Sequence, residues 1–154
     1  MVQYKTGDLL TANVDYICHQ VNCQGRMASG IAKSIREKWP EVYEAYMDWH
    51  KASGYTIYNN ILIVPVDNNQ NVINMASQYS YGYDGKRYTS YDAFWECLNR
   101  IAQVCPKGSK IGFPYRIGCG LGGANWSVIE TMIYMVLGKD FDVYIYCLED
   151  EKHG

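Results

Sequence analysis

Two glycine-rich segments constrain this chain more than any other feature, because each lies between a strand-like apolar run and a helix-like period. The first covers residues 19–32 and the second residues 114–126. A junction of this kind directs backbone N–H groups and the positive end of a helix dipole toward one point, as anion sites do. Two of them on one sheet edge predict a site that holds a diphosphate ligand. The alternative is that the glycines only permit tight turns.

Apolar periodicity predicts strands and helices that alternate along the chain. The clearest helical period runs from Tyr91 to Cys105, and further helices are predicted after Gly30, after Pro40 and after Asn125. Strands are predicted at residues 2–4, 16–21, 61–66, 72–76, 111–115 and 143–148. This order predicts an α/β protein, a three-layer α/β/α sandwich with a mostly parallel mixed sheet, and ligands beyond the carboxyl ends of its strands.

Length and charge narrow the functional classes. A chain of 154 residues predicts a single domain over residues 1–154. The net charge of −2 excludes a broad basic field, so a phosphate group would have to be bound locally. The sequence has neither a leader-like start nor an apolar run of membrane-spanning length, which predicts a cytoplasmic protein with no membrane partner. We expect a monomer.

The six cysteines indicate free thiols, since no C-x-x-C pair and no secretory signal is present. Cys18, His19 and Cys23 could suggest zinc, but strand alternation sends Cys18 and His19 to opposite faces. No metal site is therefore predicted.

The second glycine segment also satisfies the dinucleotide fingerprint G-x-G-x-x-G with Gly118, Gly120 and Gly123. In the dinucleotide fold this fingerprint opens the domain, and several strands follow it. Here only one helix and one strand follow, so the pattern argues against a nicotinamide-dependent dehydrogenase.

Segments spread over nearly the whole chain resemble, in order, the macrodomain family, which binds ADP-ribose. The resemblance is carried by residues 7–10, 17–25, 30–32, 117–121 and 126. It is strongest to small members grouped with the ADP-ribose-1''-phosphate phosphatases and the terminal ADP-ribose protein glycohydrolases. It implies an α/β/α sandwich and ADP-ribose or ADP-ribose-1''-phosphate as ligand or substrate. ADP-ribosylated protein or nucleic acid are further implied partners, and no cofactor is expected.

By position, the resemblance implies an adenine end at Asp8, Leu9, Tyr146 and Leu148, a distal-ribose contact at Asn22, and ribose or phosphate contacts at Gly30, Ile31, Gly118, Cys119, Gly120, Leu121 and Gly122. Simpler alternatives remain open. Asp8 could cap a turn, Asn22 could brace its own loop, and Tyr146 and Leu148 could be core residues.

The catalytic prediction rests on two positions. In the terminal glycohydrolase branch a lysine attacks the ribose with help from an aspartate, but Gln78 and Gly122–Gly123 stand at those places here. The phosphatase-like branch has a histidine at the place of His19, and histidine is suited to act as a base or nucleophile near neutral pH. We therefore expect His19 and Asn22 to be catalytic, with Asn22 orienting the distal ribose and a water. The alternative is that His19 hydrogen-bonds within the core.

These observations predict a hydrolase that acts at the distal ribose, on ADP-ribose-1''-phosphate or on an ADP-ribosyl link. The alternative from another class is a non-catalytic reader of ADP-ribose, and a purely structural role is a third. The tyrosine-rich stretch over residues 78–91 could cover the distal ribose, contact a macromolecular substrate, or form a solvent loop.

Overall fold

The computed structural model describes residues 1–149, so residues 150–154 of the predicted single domain lie outside the described part. The strands are β1 Val2–Thr6, β2 Tyr16–Asn22, β3 Ile61–Pro65, β4 Asn71–Gln78, β5 Lys110–Pro114 and β6 Asp142–Cys147. The main helices are α1 Gly30–Lys38, α2 Pro40–Ser53, α3 Tyr91–Val104 and α4 Trp126–Leu137.

All six strands form one sheet in the order β1-β6-β5-β2-β4-β3. Neighbouring strands are parallel except for β3, which runs antiparallel to β4 at one edge. The antiparallel pair follows from the short connection at residues 66–70, since two strands joined by so few residues cannot be parallel. The mostly parallel mixed sheet confirms the predicted fold class.

Helices cover both faces of the sheet and divide the core in two. On one face, the apolar stripe of α3 packs with α4 through residues such as Phe94, Leu98 and Ile133. On the other, α1 and α2 contribute Ile35 and Tyr46 to a second buried cluster. Two covered faces explain why consecutive residues of the central strands are buried, rather than alternating with exposed ones.

The carboxyl ends of the five parallel strands therefore meet at one edge of the sheet, and both glycine segments begin there. The first follows β2 and leads into α1, while the second follows β5 and leads into α4. Since β2 and β5 are neighbours in the sheet, the two segments lie side by side, as the sequence predicts. Within residues 1–149 no helix is both long and apolar enough to cross a membrane.

Candidate functional site

A cleft of about 940 Å³ opens at this edge of the sheet. Its lining combines both glycine segments with the ends of β1 and β6, and includes Asp8, Leu9, Gly30, Ile31, Gly118, Gly120, Leu121, Gly122, Tyr146 and Leu148. The structure thus brings these predicted binding residues together in one cleft. Ser29 and Gly30 of the first segment and four residues of the stretch 118–122 are distant in sequence but line the same cavity, as a diphosphate site requires.

Backbone amides that have no acceptor within residues 1–149 line the middle of the cleft. At the start of α1, the amides of Gly30, Ile31 and Ala32 belong to the first helical turn, and Lys33 makes the first hydrogen bond back, to Ser29. Ser29 itself provides no side-chain cap. A helix N-terminus left open in this way favours an anion, because its N–H groups and its dipole both carry positive charge there.

The second glycine segment contributes a comparable set of donors. Among residues 1–149 no acceptor is found for the amides of Gly118, Gly120, Leu121 and Gly122, and all four of these residues line the cleft. Adjacent N–H groups in such a turn form a concave anion site. The two sets of amides lie on the border of the same cavity. A ligand with two linked phosphates can therefore accept hydrogen bonds from both sets.

The β1–β6 end of the cleft presents a carboxylate. One oxygen of Asp8 accepts a hydrogen bond from the Leu10 amide at 2.9 Å and caps a short 3-10 turn. Its other oxygen has no partner within the described residues, and Asp8 lines the cleft. Turn capping and ligand recognition are therefore compatible. Tyr146 and Leu148 border the same end, and Leu148 is about half exposed, so it is not a core residue.

Asn22 has the bracing role that the sequence left open. Its Oδ1 accepts hydrogen bonds from the Gln24 amide at 2.9 Å and the Arg26 amide at 3.4 Å, and its Nδ2 donates to the Arg26 carbonyl at 2.9 Å. The hydroxyl of Tyr46, on α2, donates to the Asn22 carbonyl at 2.6 Å. Asn22 thus fixes residues 22–30, which we call the first glycine loop. Only one hydrogen of the Asn22 side-chain amide is left for a ligand.

A network of polar side chains holds residues 118–123, which we call the second glycine loop. The Nε2 group of Gln20 donates to Gln78 at 2.8 Å and to the Thr89 hydroxyl at 2.9 Å, and its Oε1 accepts from Ser77 at 2.6 Å. Thr89 in turn donates to the Gly118 carbonyl at 2.8 Å. With these carbonyls and hydroxyls paired, the loop is positioned before any ligand binds.

A smaller chamber of about 100 Å³ adjoins the cleft at its β2–β4 end. The two cavities share Gln20, Ser29, Ala32 and Leu121. We call this the distal chamber; its remaining lining is Val21, Asn22, Arg26, Ala28, Gln78, Tyr81, Gly82 and Tyr83. The polar side chains there mainly offer N–H donors, from Asn22, Gln78 and Arg26, which suit ribose hydroxyls.

His19 does not reach either cavity, and the geometry does not support the catalytic role predicted for it. Strand β2 continues past it to Asn22, so His19 lies inside the sheet, fully buried, with Nε2 at 2.6 Å from Asn74 Oδ1. Burial lowers the pKa of His19 to about 4, although the hydrogen bond with Asn74 acts in the opposite direction. The imidazole is therefore neutral and structural, which was the alternative interpretation.

Cys119 also departs from its predicted place among the phosphate contacts. Its side chain is buried in the core cluster, and its amide already donates to the Arg116 carbonyl at 2.8 Å. Burial raises the pKa of the Cys119 thiol, which keeps it protonated and unreactive. Cys119 anchors the loop from below, while the glycines around it face the cleft.

Sequence reasoning missed several residues that line the cleft or support its loops. Arg116 borders the cleft directly before the second glycine loop. Its positive φ of 62° belongs to a turn that the sequence pattern does not predict. Gln20 and Thr89 escaped notice because their partners are far away in sequence. No group of three or more potential metal ligands occurs within residues 1–149.

No model of a known protein family matches the sequence. It is similar to a Mycobacterium tuberculosis protein named DNA ADP-ribosyl glycohydrolase, with 28% identity over 150 residues, which cover 95% of this chain and 42% of that protein. The chain thus spans about two fifths of the length of this curated relative.

Solved structures resemble the chain over almost its full length. A Bacteroides thetaiotaomicron protein of unknown function has a TM-score of 0.83 and 29% identity, covering 96% of this chain and 98% of that one. The macrodomain of Mycobacterium tuberculosis DarG has a TM-score of 0.78 and 24% identity, covering 95% and 97%. Thermosipho africanus DarTG in complex with ADP-ribose has a TM-score of 0.79 and 20% identity, covering 99% and 43%. The chain has the macrodomain fold, which confirms the resemblance found in its sequence.

Proposed function

We propose that the chain binds ADP-ribose in the cleft and hydrolyses a bond at the distal ribose. The observation that carries the proposal is the pair of amide sets on the two glycine segments, which face one cavity and have no protein acceptors within the described residues. A diphosphate satisfies both sets at once. A Thermosipho africanus relative of the same fold was solved in complex with ADP-ribose, which supports this choice of ligand.

The order of the strands supports one orientation of this ligand. Strands lie about 4.8 Å apart, so the edge from β1 to β4 extends over about 19 Å. Asp8 can accept the adenine amino group at the β1–β6 end, and the amides beside β5 and β2 hold the diphosphate. The distal ribose then occupies the chamber beside Asn22 and Gln78.

Hydrolysis in this chamber would depend on the substrate as much as on side chains. Water attacks C1'' of the distal ribose, the bond from C1'' to the leaving group breaks, and the leaving group keeps the electron pair. The chamber offers N–H donors rather than a carboxylate or imidazole base. We propose that a diphosphate oxygen of the bound substrate receives the proton from water, while the loop amides stabilise the phosphate charge. No metal is assigned a role.

The leaving group defines the substrate class. ADP-ribose-1''-phosphate and ADP-ribosyl groups on protein or nucleic acid all present the same C1'' atom. Nucleic acid is favoured by the mycobacterial relative, which is named as a DNA ADP-ribosyl glycohydrolase.

A second candidate function is a reader that binds ADP-ribose without cleaving it. It is favoured by the burial of His19, which removes the base expected from the sequence. Calorimetry with ADP-ribose tests the binding that both candidates share. Turnover of ADP-ribose-1''-phosphate and of ADP-ribosylated single-stranded DNA, measured in EDTA, separates them.

For the hydrolase we expect turnover that survives His19→Gln and falls about tenfold or more in Gln78→Ala, because one chamber donor is lost. Binding without turnover on either substrate would identify the reader. If ADP-ribose does not bind at all, both candidates are wrong.

A further inference from the structure

A group of exposed tyrosines lies next to the distal chamber and is not used by the proposed chemistry. Tyr83 is 71% exposed, Tyr55 56% and Tyr79 44%, while Tyr81 is partly buried. We call Tyr55, Tyr79, Tyr81 and Tyr83 the tyrosine surface. Exposed aromatic rings grouped in this way are unusual enough on a small domain to indicate a contact surface.

The tyrosine surface is continuous with the chamber. Tyr81 and Tyr83 are part of the chamber lining. The Tyr79 carbonyl accepts hydrogen bonds from the Cys23 amide at 3.1 Å and the Gln24 side chain at 2.9 Å, which ties it to the first glycine loop. The Tyr79 ring stacks obliquely on Tyr55, with centroids 5.3 Å apart and planes inclined by 33°. Tyr81 and Tyr83 therefore border a ligand in the chamber, and the Tyr55–Tyr79 pair lies beside the first glycine loop.

A positively charged side chain, Arg26, lies between the tyrosine surface and the distal chamber. The guanidinium of Arg26 lies 5.4 Å from the Tyr81 ring centroid, and Arg26 also lines the chamber. A planar cation beside an aromatic ring offers both a stacking face and a partner for one phosphate. With a net charge of −2 overall, the chain has no extended basic field, so contacts with bases must supply more of the binding than contacts with phosphates.

The loop that carries three of these tyrosines is built to hold its shape. A Cβ atom on Gly82 would lie 2.3 Å from the Tyr88 hydroxyl, so the Tyr88 side chain packs directly against this backbone. That hydroxyl donates to Asp84 at 2.9 Å. The amides of Tyr88 and Thr89 both donate to the Gly122 carbonyl, at 2.8 and 3.0 Å. The rings are therefore presented by a supported loop, which lowers the entropy cost of binding.

We infer that the tyrosine surface binds the bases of single-stranded nucleic acid that flank an ADP-ribosylated nucleotide seated in the cleft, an inference that rests on the proposed function. Exposed tyrosine faces accept bases of any sequence, because every base has a stacking face. In a duplex those faces are covered by neighbouring bases, so a single strand fits and a duplex does not. A peptide would not need flat aromatic faces beside a lone guanidinium.

The test compares ADP-ribosylated single-stranded DNA of about twelve nucleotides, within the usual range of stacking sites, with the ADP-ribosylated mononucleotide and with free ADP-ribose. The variants are Tyr79→Ala, Tyr83→Ala and the double variant. Tyr134→Ala is the matched control, because Tyr134 is 49% exposed but lies on α4, on the opposite face of the sheet. KM is measured where turnover occurs and Kd where it does not.

We expect the oligonucleotide to bind about tenfold more tightly than the mononucleotide, and the double variant to lose that advantage. Affinity for free ADP-ribose should stay unchanged in Tyr79→Ala, and Tyr134→Ala should match the wild type. In the variants of Tyr83, which lines the chamber, the ratio of the oligonucleotide to the mononucleotide affinity is the quantity compared. Tyr83→Leu, which keeps apolar bulk without a ring, should behave like Tyr83→Ala. Thermal melting checks that each variant is folded.

Three results would overturn the inference: no advantage of the oligonucleotide over the mononucleotide, an advantage that survives the double variant, or an equal tyrosine-dependent advantage for an ADP-ribosylated peptide. Each leaves ADP-ribose binding intact. Failure of the wild-type protein to bind free ADP-ribose would instead contradict the proposed function itself.

Discussion

The two glycine loops present amides to the same cavity, but they are held in different ways. The first, over residues 22–30, is fixed by hydrogen bonds of one of its own side chains, Asn22, by a hydroxyl from α2 and by the Tyr79 carbonyl. The second, over residues 118–123, is fixed by side chains from other elements, chiefly Gln20 and Thr89. The first loop has open space at Gly30, whereas Gly118 and Gly122 of the second are packed against the side chains that support them.

The glycines in the two loops are consequently needed for different reasons. Gly30 has a φ of +59° and no atom within 4 Å of an added Cβ, so the backbone conformation, rather than space, requires glycine there. At Gly122, a Cβ would lie 2.4 Å from the Thr89 hydroxyl and 2.5 Å from the Gly118 carbonyl, so space is the requirement. Glycine content alone therefore does not indicate what a glycine does in a phosphate-binding loop.

The largest expected effect comes from Gly122→Ala. The second loop must shift by roughly 1 Å to accommodate the methyl group, and the loss of one hydrogen bond to a charged phosphate costs roughly 1.5–3 kcal/mol. We therefore expect the ADP-ribose Kd to rise by about two orders of magnitude, equivalent to about 2.7 kcal/mol, as measured by calorimetry.

Gly120→Ala is the control within the same loop, because an added Cβ there has no neighbour within 4 Å. Its effect on Kd should be several-fold at most. If both variants lose the same ADP-ribose affinity, contact with the ligand would exclude a side chain from the second loop, and contact with Thr89 and the Gly118 carbonyl would not be the cause.

The strands that lead into the loops differ in a titratable group. Strand β2 carries the buried His19, which pairs with Asn74 on the neighbouring strand β4. The buried side chains of β5 are the apolar residues Ile111 and Phe113. With a pKa of about 4 in the fold and about 6.5 in the unfolded chain, His19 takes up its proton first in the unfolded state. Stability is therefore lost as the pH falls through about 6.5 and levels off below about 4.

We expect the free energy of unfolding to fall by about 2 kcal/mol between about pH 7 and about pH 5 from this group alone. Urea unfolding at the two pH values measures it. In His19→Gln, which keeps a polar group beside Asn74, this part of the pH dependence should disappear. An unchanged slope in that variant would assign the pH dependence to other groups.

The sequence was sufficient for the fold and for most of the cleft, because both follow from local patterns. Apolar periodicity predicted the layers, and the position of each glycine segment after a strand predicted a shared sheet edge. His19 could not be placed in the same way. Its burial depends on β2 continuing past it and on its register with Asn74, which is 55 residues away.

The support of the second loop was equally inaccessible from sequence. Gln20, Ser77 and Thr89 are common polar residues in no recognisable motif, and their importance depends on β2, β4 and the end of the tyrosine-rich loop meeting below Gly118. The composition of the tyrosine-rich loop alone does not distinguish a solvent loop from a supported one. Long-range contacts of this kind leave no local pattern.

The smallest expected effect comes from Tyr46→Phe, which tests the bracing of the first loop without changing its glycines. The Tyr46 hydroxyl donates to the Asn22 carbonyl at 2.6 Å and accepts from the Gly25 amide at 3.1 Å. Removing a buried hydroxyl leaves both partners unpaired and costs about 1.5 kcal/mol of stability. Because the loop is also held by Asn22, we expect the ADP-ribose Kd to rise only about fivefold.

Tyr43→Phe is the matched control, since Tyr43 lies on the same helix and its ring contacts Arg36 rather than the loop. If both variants lose the same stability and affinity, the first loop does not depend on its tether to α2, and the proposed contrast between the two loops is wrong.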